Sequence, residues 1–323
     1  MERKAFIKNI LGTSLLIGLD GVSSITNALT NMTENTSTND LYAAFGAIHL
    51  NNTSLEKAKT FWTSIMGLKL RKATSDSAEF GSENKTLVVI HQSAKVSYKE
   101  GYSGLYHFAI HLSKSEFAKA LYRLQQSKYP CSPIDHTMSK SIYLNDPDGI
   151  TIEFAQETPE RFKRVVTEGG LRMEDSHGTI RSASAPLDLD VVLKELKDKD
   201  LSKPISDDSK IGHIHLYAND VQSSDTFYKK LGFEQFNYFP QFMYADVSCG
   251  GPYKHRVAMN SWHGINKPLA PKDSAGMNHY HIIFDTKTML EKAIKSVAKV
   301  EEKDGGYWVN DPTGNLILLS CKV

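Results

Sequence analysis

Cysteine is scarce. The 323 residues hold only Cys131, Cys249 and Cys321, far apart, odd in number and without a C-x-x-C pair. That excludes a disulfide framework and a thiolate metal cage, and leaves three structural thiols. An excess of one charge is lacking too. Lys and Arg number 38 against 37 Asp and Glu, a net charge of +1, and the signs are interspersed. Neither a nucleic-acid stripe nor a polyanion-binding run results. Long apolar runs are missing: "MERKAFIKNILGTSLLIGL" is short and ends at Asp20, which excludes an ordinary membrane span there. Glycine-rich phosphate loops, Ser/His/Asp nucleophile motifs and aromatic–basic surfaces do not stand out. "EGG" at 168–170 and "DGG" at 304–306 are turns. Histidine, by contrast, is plentiful. There are 12, several in His-x-His pairs, so metal ligation and acid–base chemistry are the functions to examine.

Residues 1–40 read as a leader and polar spacer. A basic start precedes a short apolar run, then "SSITNALTNMTENTSTND", with Ala28 at a plausible cleavage position. "ERKAFIK" resembles the twin-arginine export motif, with Lys4 at the second arginine. The expectation is a periplasmic or exported protein; a cytoplasmic protein with an amphipathic N-terminal helix is the alternative.

One unit is written four times. "GAIHLNNTSLEKAKTFWTSIMGLKL" from Gly46 and "GHIHLYANDVQSSDTFYKKLGFEQF" from Gly212 share an alternating apolar run, a polar turn and a helix-period segment. Weaker copies begin at "GLYHFAIHL" (Gly104) and "GMNHYHIIF" (Gly276). "SIYLNDPDGITIEFA" and "GYWVNDPTGNLILLS" read as hairpins, with Asp-Pro setting the turn and Gly supplying positive φ. Each unit is therefore strand, helix, then about three strands. The fold class is α+β, four βαβββ modules paired into two domains: 41–157 (modules 1 and 2) and 209–323 (modules 3 and 4), with a charged linker at 158–208.

"GLYHFAIHLS" (104–113) poses a sharper question. On a helix, His107 and His111 would share one face and could grip one ion. On a strand they also share a face, but lie about 13 Å apart along it and cannot. The strand reading is favoured. Ser113 reads as the N-cap of "KSEFAKAL", with Glu116 completing a capping box.

These modules resemble the βαβββ unit of the vicinal oxygen chelate superfamily, the glyoxalase and extradiol dioxygenase group, over residues 43–323. The likeness is strongest to the four-module catechol 2,3-dioxygenase branch. It is carried by "GLYHFAI", "DHTMSKSIYLNDPDGITIEF" (135–154), "PLDLDVVLKEL" (186–196), "IGHIHL" (211–216) and "NSW" (260–262).

The resemblance implies a metal site. Lining up the four first strands puts His107, His213 and His279 at the ligand position and Ala47 in the remaining copy. Module 2 supplies Glu153 from its last strand, where module 4 has Leu318. One complete set results: His107, Glu153 and His213. Two imidazoles and one carboxylate suit Fe(II), or Mn(II), with neighbouring positions left open. His136 or His255 is the implied acid/base. Asp135, Tyr253, Asn260 and Trp262 are the implied substrate pocket, and Lys254 and Arg256 suggest an acidic ring substituent. His49, His215 and His281 read as lining or structural residues and His111 as a bystander on the same face as His107, so His111→Ala is expected to leave the metal nearly intact. His279 is a candidate for a second site.

The implied activity is extradiol cleavage of a small aromatic diol with O2 to a ring-opened semialdehyde. No nucleic-acid partner is expected, and a homo-oligomer is compatible. A glyoxalase-type lyase or isomerase commonly uses two carboxylates, and only Glu153 is found. A non-catalytic binding protein is the third alternative, against which the intact ligand set argues.

Overall fold

A computed structural model describes residues 41–322. The expected leader and twin-arginine-like motif fall outside the described residues. Module 1 comprises β1 (Ala43–Asn52), α1 (Leu55–Thr60, continued by a π-helical turn Phe61–Ile65), β2 (Lys69–Ala73), β3 (Ser77–Gly81) and β4 (Thr86–Gln92). Module 2 follows with β5 (Gly104–His111), α2 (Lys114–Ser127), β6 (Ser132–Asp135), β7 (Ser139–Asn145) and β8 (Thr151–Glu157). The connecting segment is more structured than its charged, Gly/Ser-containing sequence suggests. Here β9 (Phe162–Val166), β10 (Arg172–Asp175) and β11 (Ile180–Ser182) form a separate three-stranded sheet, followed by β12 (Ala185–Pro186) and α3 (Leu189–Leu193). Module 3 has β13 (Lys210–Tyr217), α4 (Val221–Lys230), β14 (Glu234–Phe239), β15 (Tyr244–Ser248) and β16 (Val257–Asn260). Module 4 has β17 (Gly276–Phe284), α5 (Lys287–Ser296), β18 (Glu301–Lys303), β19 (Gly306–Asn310) and β20 (Leu316–Cys321). Among the described residues no helix is long and apolar enough to cross a membrane.

Strand pairing corrects the expected partnership of modules. Modules 1 and 4 share one sheet, ordered β18-β19-β20-β17-β1-β4-β3-β2. Modules 2 and 3 share the other, β12-β6-β7-β8-β5-β13-β16-β15-β14. In each sheet the two first strands meet antiparallel at the centre, β1 against β17 and β5 against β13. A first strand has its own module's last strand on one side, in parallel. Its other edge is free, and pairing two such edges satisfies both backbones. Modules adjacent in sequence are tied by side chains instead. Asn52 Nδ2 donates to Asp146 Oδ2 (2.6 Å) and Asp148 Oδ2 (3.0 Å), joining module 1 to module 2. Tyr228 and Tyr280 meet at 2.6 Å between modules 3 and 4, and Tyr228 also donates to Asp311 (3.1 Å).

Alternation along β5 sorts its side chains onto two faces. Phe108 and Ile110 are fully buried, and Trp62 of module 1 stacks between Phe80 and Phe108 at 6.2 and 6.3 Å. Burying such an aromatic contributes on the order of 2 kcal/mol. The other face carries His107, Ala109 and His111. The DPDG and DPTG turns form as read, with Gly149 and Gly314 at φ 89° and 103°. The capping box at Ser113 does not form. Ser113 makes no side-chain cap, and Glu116 accepts from Ser206 N instead (3.2 Å). All three cysteines are free.

Candidate active site

Three adjacent strands, β8, β5 and β13, bring Glu153, His107 and His213 together. Ala109 is the register partner of Glu153 on one side and of His213 on the other. Its methyl group leaves the space between them open. His107 Nε2 lies 3.3 Å from His213 Nε2, and Glu153 Oε2 lies 3.1 and 3.0 Å from the two imidazoles. All three residues are buried.

These residues fit a metal ion. Glu153 Oε2 is a buried carboxylate oxygen without a hydrogen bond, a costly arrangement unless a cation completes it. Metal bonds of about 2.1 Å at right angles put donors about 3.0 Å apart, against about 3.4 Å for a tetrahedron. The observed sides, 3.0, 3.1 and 3.3 Å, fall within this range, so one ion can reach all three donors. Protonation favours the same chemistry. Burial holds His213 well below the ordinary imidazole value. An anionic carboxylate and a neutral imidazole are the forms that ligate.

His255 stands beside this triangle, its ring 4.7 Å from that of His213. Its Nδ1 donates to Asp246 Oδ2 at 2.7 Å, which leaves Nε2 as the free acceptor. Asp246 is fully buried and also accepts from Tyr244 OH (2.9 Å) and Asn237. His136 is more constrained: Nδ1 bonds the Ala183 carbonyl and Nε2 faces Tyr143 OH at 3.0 Å. His215 accepts from Asn260 Nδ2 (2.9 Å), and its ring lies 4.9 Å from that of His107. Asn260 also accepts from Trp262 N. Trp262 is 41 % exposed, and its ring stacks on Tyr244 and reaches Tyr106 at 6.1 Å, forming an aromatic rim. Tyr253 is buried and stacks on His213 at 6.4 Å.

Three expectations need correction. Asp135 is committed to the turn carrying His136: it accepts from Thr137 N (2.8 Å) and pairs with Arg161 (2.7 Å). Arg256 is no anchor for an acidic ring substituent, because it is buried against Glu157 at 2.8 Å. His111 is no bystander. Its Nε2 meets His213 Nδ1 at 2.9 Å, even though the strand geometry keeps it from sharing an ion with His107.

No second metal centre forms at His279. Among the described residues only His107, Glu153 and His213 bring three ligand atoms within 4.8 Å of one another. His279 stacks on His49 at 3.9 Å, His49 bonds His91 at 3.0 Å, and His281 bonds Ser320 at 2.7 Å. Burial first, then neighbouring imidazoles, push His49 down to about 3 and His279 down to about 4. The unfolded chain therefore takes up protons below about pH 6.5 while the folded one does not. That part of the stability is complete above pH 6.5 and is lost as pH falls toward 4 and 3. Metal-free protein is expected to melt roughly 5 °C lower at pH 5 than at pH 7. A His49→Asn/His279→Asn double variant should narrow that gap; an unchanged gap would contradict this assignment.

Tyr106, Tyr143, Tyr244, Asp246 and Glu157 are site residues that sequence reasoning missed. Tyr143 had a usable signal: folding the hairpin about DPDG puts it directly opposite Glu153.

Paired βαβββ modules carrying a buried His–Glu–His set define a metal enzyme of dioxygenase/glyoxalase type. The model of the Glyoxalase/Bleomycin resistance protein/Dioxygenase superfamily matches residues 44–154. A catechol-2,3-dioxygenase of Bacillus subtilis (strain 168) is 30% identical over 268 residues, covering 80% of this chain and 90% of that protein. The chain belongs to this superfamily. Two solved structures share the fold. A Bacillus subtilis protein described as a candidate dioxygenase has a TM-score of 0.52 at 12% identity, covering 86% of this chain and 85% of its own. A variant of glyoxalase I from Zea mays has a TM-score of 0.51 at 13% identity, covering 87% and 94%.

Proposed function

We propose that the protein is an Fe(II)-dependent extradiol dioxygenase, with Mn(II) as the alternative metal, that opens a catechol ring with O2. The observation that carries this reading is the triangle of His107, Glu153 and His213 with the Asp246–His255 pair beside it. His107, Glu153 and His213 would hold the ion with three protein ligands, and one carboxylate would leave a ferrous site net positive toward a catecholate. The resemblance to a relative named as a catechol-2,3-dioxygenase supports the same reading.

When bound, the ferrous ion supplies the redox chemistry that joins diol and O2. The protein supplies the rest. His255, its Nδ1–H held by Asp246, offers Nε2 to take a diol proton and later return it. Tyr106, Tyr244 and Trp262 give the ring flat, apolar neighbours. The walls bury the site, so charge there interacts in a low dielectric.

Loading the protein with Fe(II) without air, adding substituted catechols and then admitting air tests this. A yellow ring-opened product is expected, with one O2 consumed per diol and both oxygen atoms retained in the product. Iron-loaded protein that takes up no O2 with any catechol would overturn the dioxygenase assignment.

A further inference from the structure

His213 is the better supported of the two imidazoles in the triangle. His107 Nδ1 is buried without a partner. His213 Nδ1 instead meets His111 Nε2 at 2.9 Å, and His111 Nδ1 meets Glu157 Oε1 at 2.7 Å. Glu157 also receives Arg256 Nη1 (2.8 Å) and lies 3.6 Å from Lys210 Nζ. A carboxylate surrounded by cationic donors only accepts, so the chain has one direction. His111 donates to Glu157 through Nδ1–H, its Nε2 accepts from His213 Nδ1–H, and His213 Nε2 is left with its lone pair toward the triangle.

The backbone is shaped to receive this chain. The β5–β13 register slips between Ile211 and His213, so Gly212 is the extra residue. A Cβ on Gly212 would stand 1.9 Å from the His111 ring. Only glycine lets that ring lie flat against β13 and reach His213. Arg256 Nη1, which binds Glu157, donates also to the Gly212 carbonyl at 3.1 Å. Tyr253 closes the remaining side, edge-on to His111 at 5.2 Å.

We propose that Glu157, His111 and Gly212 are positioning residues for the metal: they lock the tautomer and orientation of His213. The inference rests on the metal reading above and adds a support that nothing else in the site duplicates. A ligand imidazole whose other N–H is held by an anchored acceptor is pre-oriented and more basic toward the ion. Loss of such a partner typically weakens metal binding about 10–100-fold.

The test uses the full chain and Mn(II) as probe, with free Mn(II) read by its EPR signal and thermal unfolding of metal-free protein measured alongside. His111→Phe keeps a ring but breaks both bonds, and is expected to weaken Mn(II) binding about 10–100-fold. Glu157→Gln, at a partly exposed position, should weaken it about 10-fold, and Gly212→Ala should act like His111→Phe. His111→Gln keeps an acceptor for His213 Nδ1–H and should recover most of the loss. A purely structural role would lower the unfolding temperature of metal-free protein without moving affinity. That result, or wild-type affinity in both His111→Phe and Glu157→Gln, overturns the proposal. Should His111→Phe fail to fold, Glu157→Gln decides alone. The control is Glu153→Ala: if it binds Mn(II) as tightly as wild type, the metal reading falls and this inference with it.

Discussion

Glu153→Ala is expected to lose the metal and reduce ring cleavage to background. Glu153 is the single anion of the triangle, and its Oε2 stands within 3.1 Å of both imidazole nitrogens. Removing it leaves an ion facing two neutral ligands in a buried site. Breaking a buried charge pair costs about 4 kcal/mol, roughly 1000-fold in affinity. His107→Ala and His213→Ala should behave alike, since each removes a third of one coordination face. The metal-free proteins should separate differently. A buried carboxylate without a cation is a burden on the fold, so Glu153→Gln is expected to melt at or above the temperature of metal-free wild type. Metal content after dialysis and thermal unfolding in chelator check both halves. Wild-type metal content in Glu153→Ala would remove the triangle from the mechanism.

Much of this centre was legible because the sequence repeats itself. Aligning four first strands puts His107, His213 and His279 at the ligand position that the resemblance implies, and the separation of His107 and His111 along β5 rules out an HxxxH ion site there. Module pairing was not legible. All four first strands present the same kind of free edge, and no local feature of β5 says that its partner is β13 rather than β1. The same blindness hid Asp246 and Tyr244, which reach His255 only because β15 and β16 pair antiparallel. At Ser113 a correct local motif lost to a tertiary competitor, because Ser206 N claims the Glu116 carboxylate. The segment 158–208 lacked a signal of another kind. Its β9 (FKRVV) carries no apolar alternation and its β11 (IRS) is exposed throughout.

His111 shows where strand logic stops. Distance along one strand rightly separates His111 from His107, yet the adjacent strand restores the connection. The slip at Gly212 moves β13 by one residue, and the ring that cannot share an ion with His107 instead holds the ligand opposite. A glycine within an alternating strand was the available clue, since it often marks a bulge or a close approach.

Replacing His255 with Gln is expected to lower kcat about 100–1000-fold while metal content stays at the wild-type level. Two histidines compete for the acid/base role, and their hydrogen bonds decide between them. Both nitrogens of His136 are engaged, by the Ala183 carbonyl and by Tyr143 OH. His255 commits only Nδ1, to a buried aspartate that Tyr244 and Asn237 hold in place, and keeps Nε2 free on the side of His213. An Asp–His pair of this kind fixes the tautomer and stabilises the imidazolium once a proton arrives. Asp246→Asn should therefore lower kcat as well, by a smaller factor than His255→Gln and with little change in KM, because it disturbs proton transfer and leaves the metal and the aromatic rim in place. His136→Gln should affect KM more than kcat, as its bonds support the wall near Glu153. Steady-state kinetics on iron-loaded variants of equal metal content resolve these cases. A His255→Gln enzyme with wild-type kcat would pass the role to His136, and the Asp246 pair would then be a structural hydrogen bond.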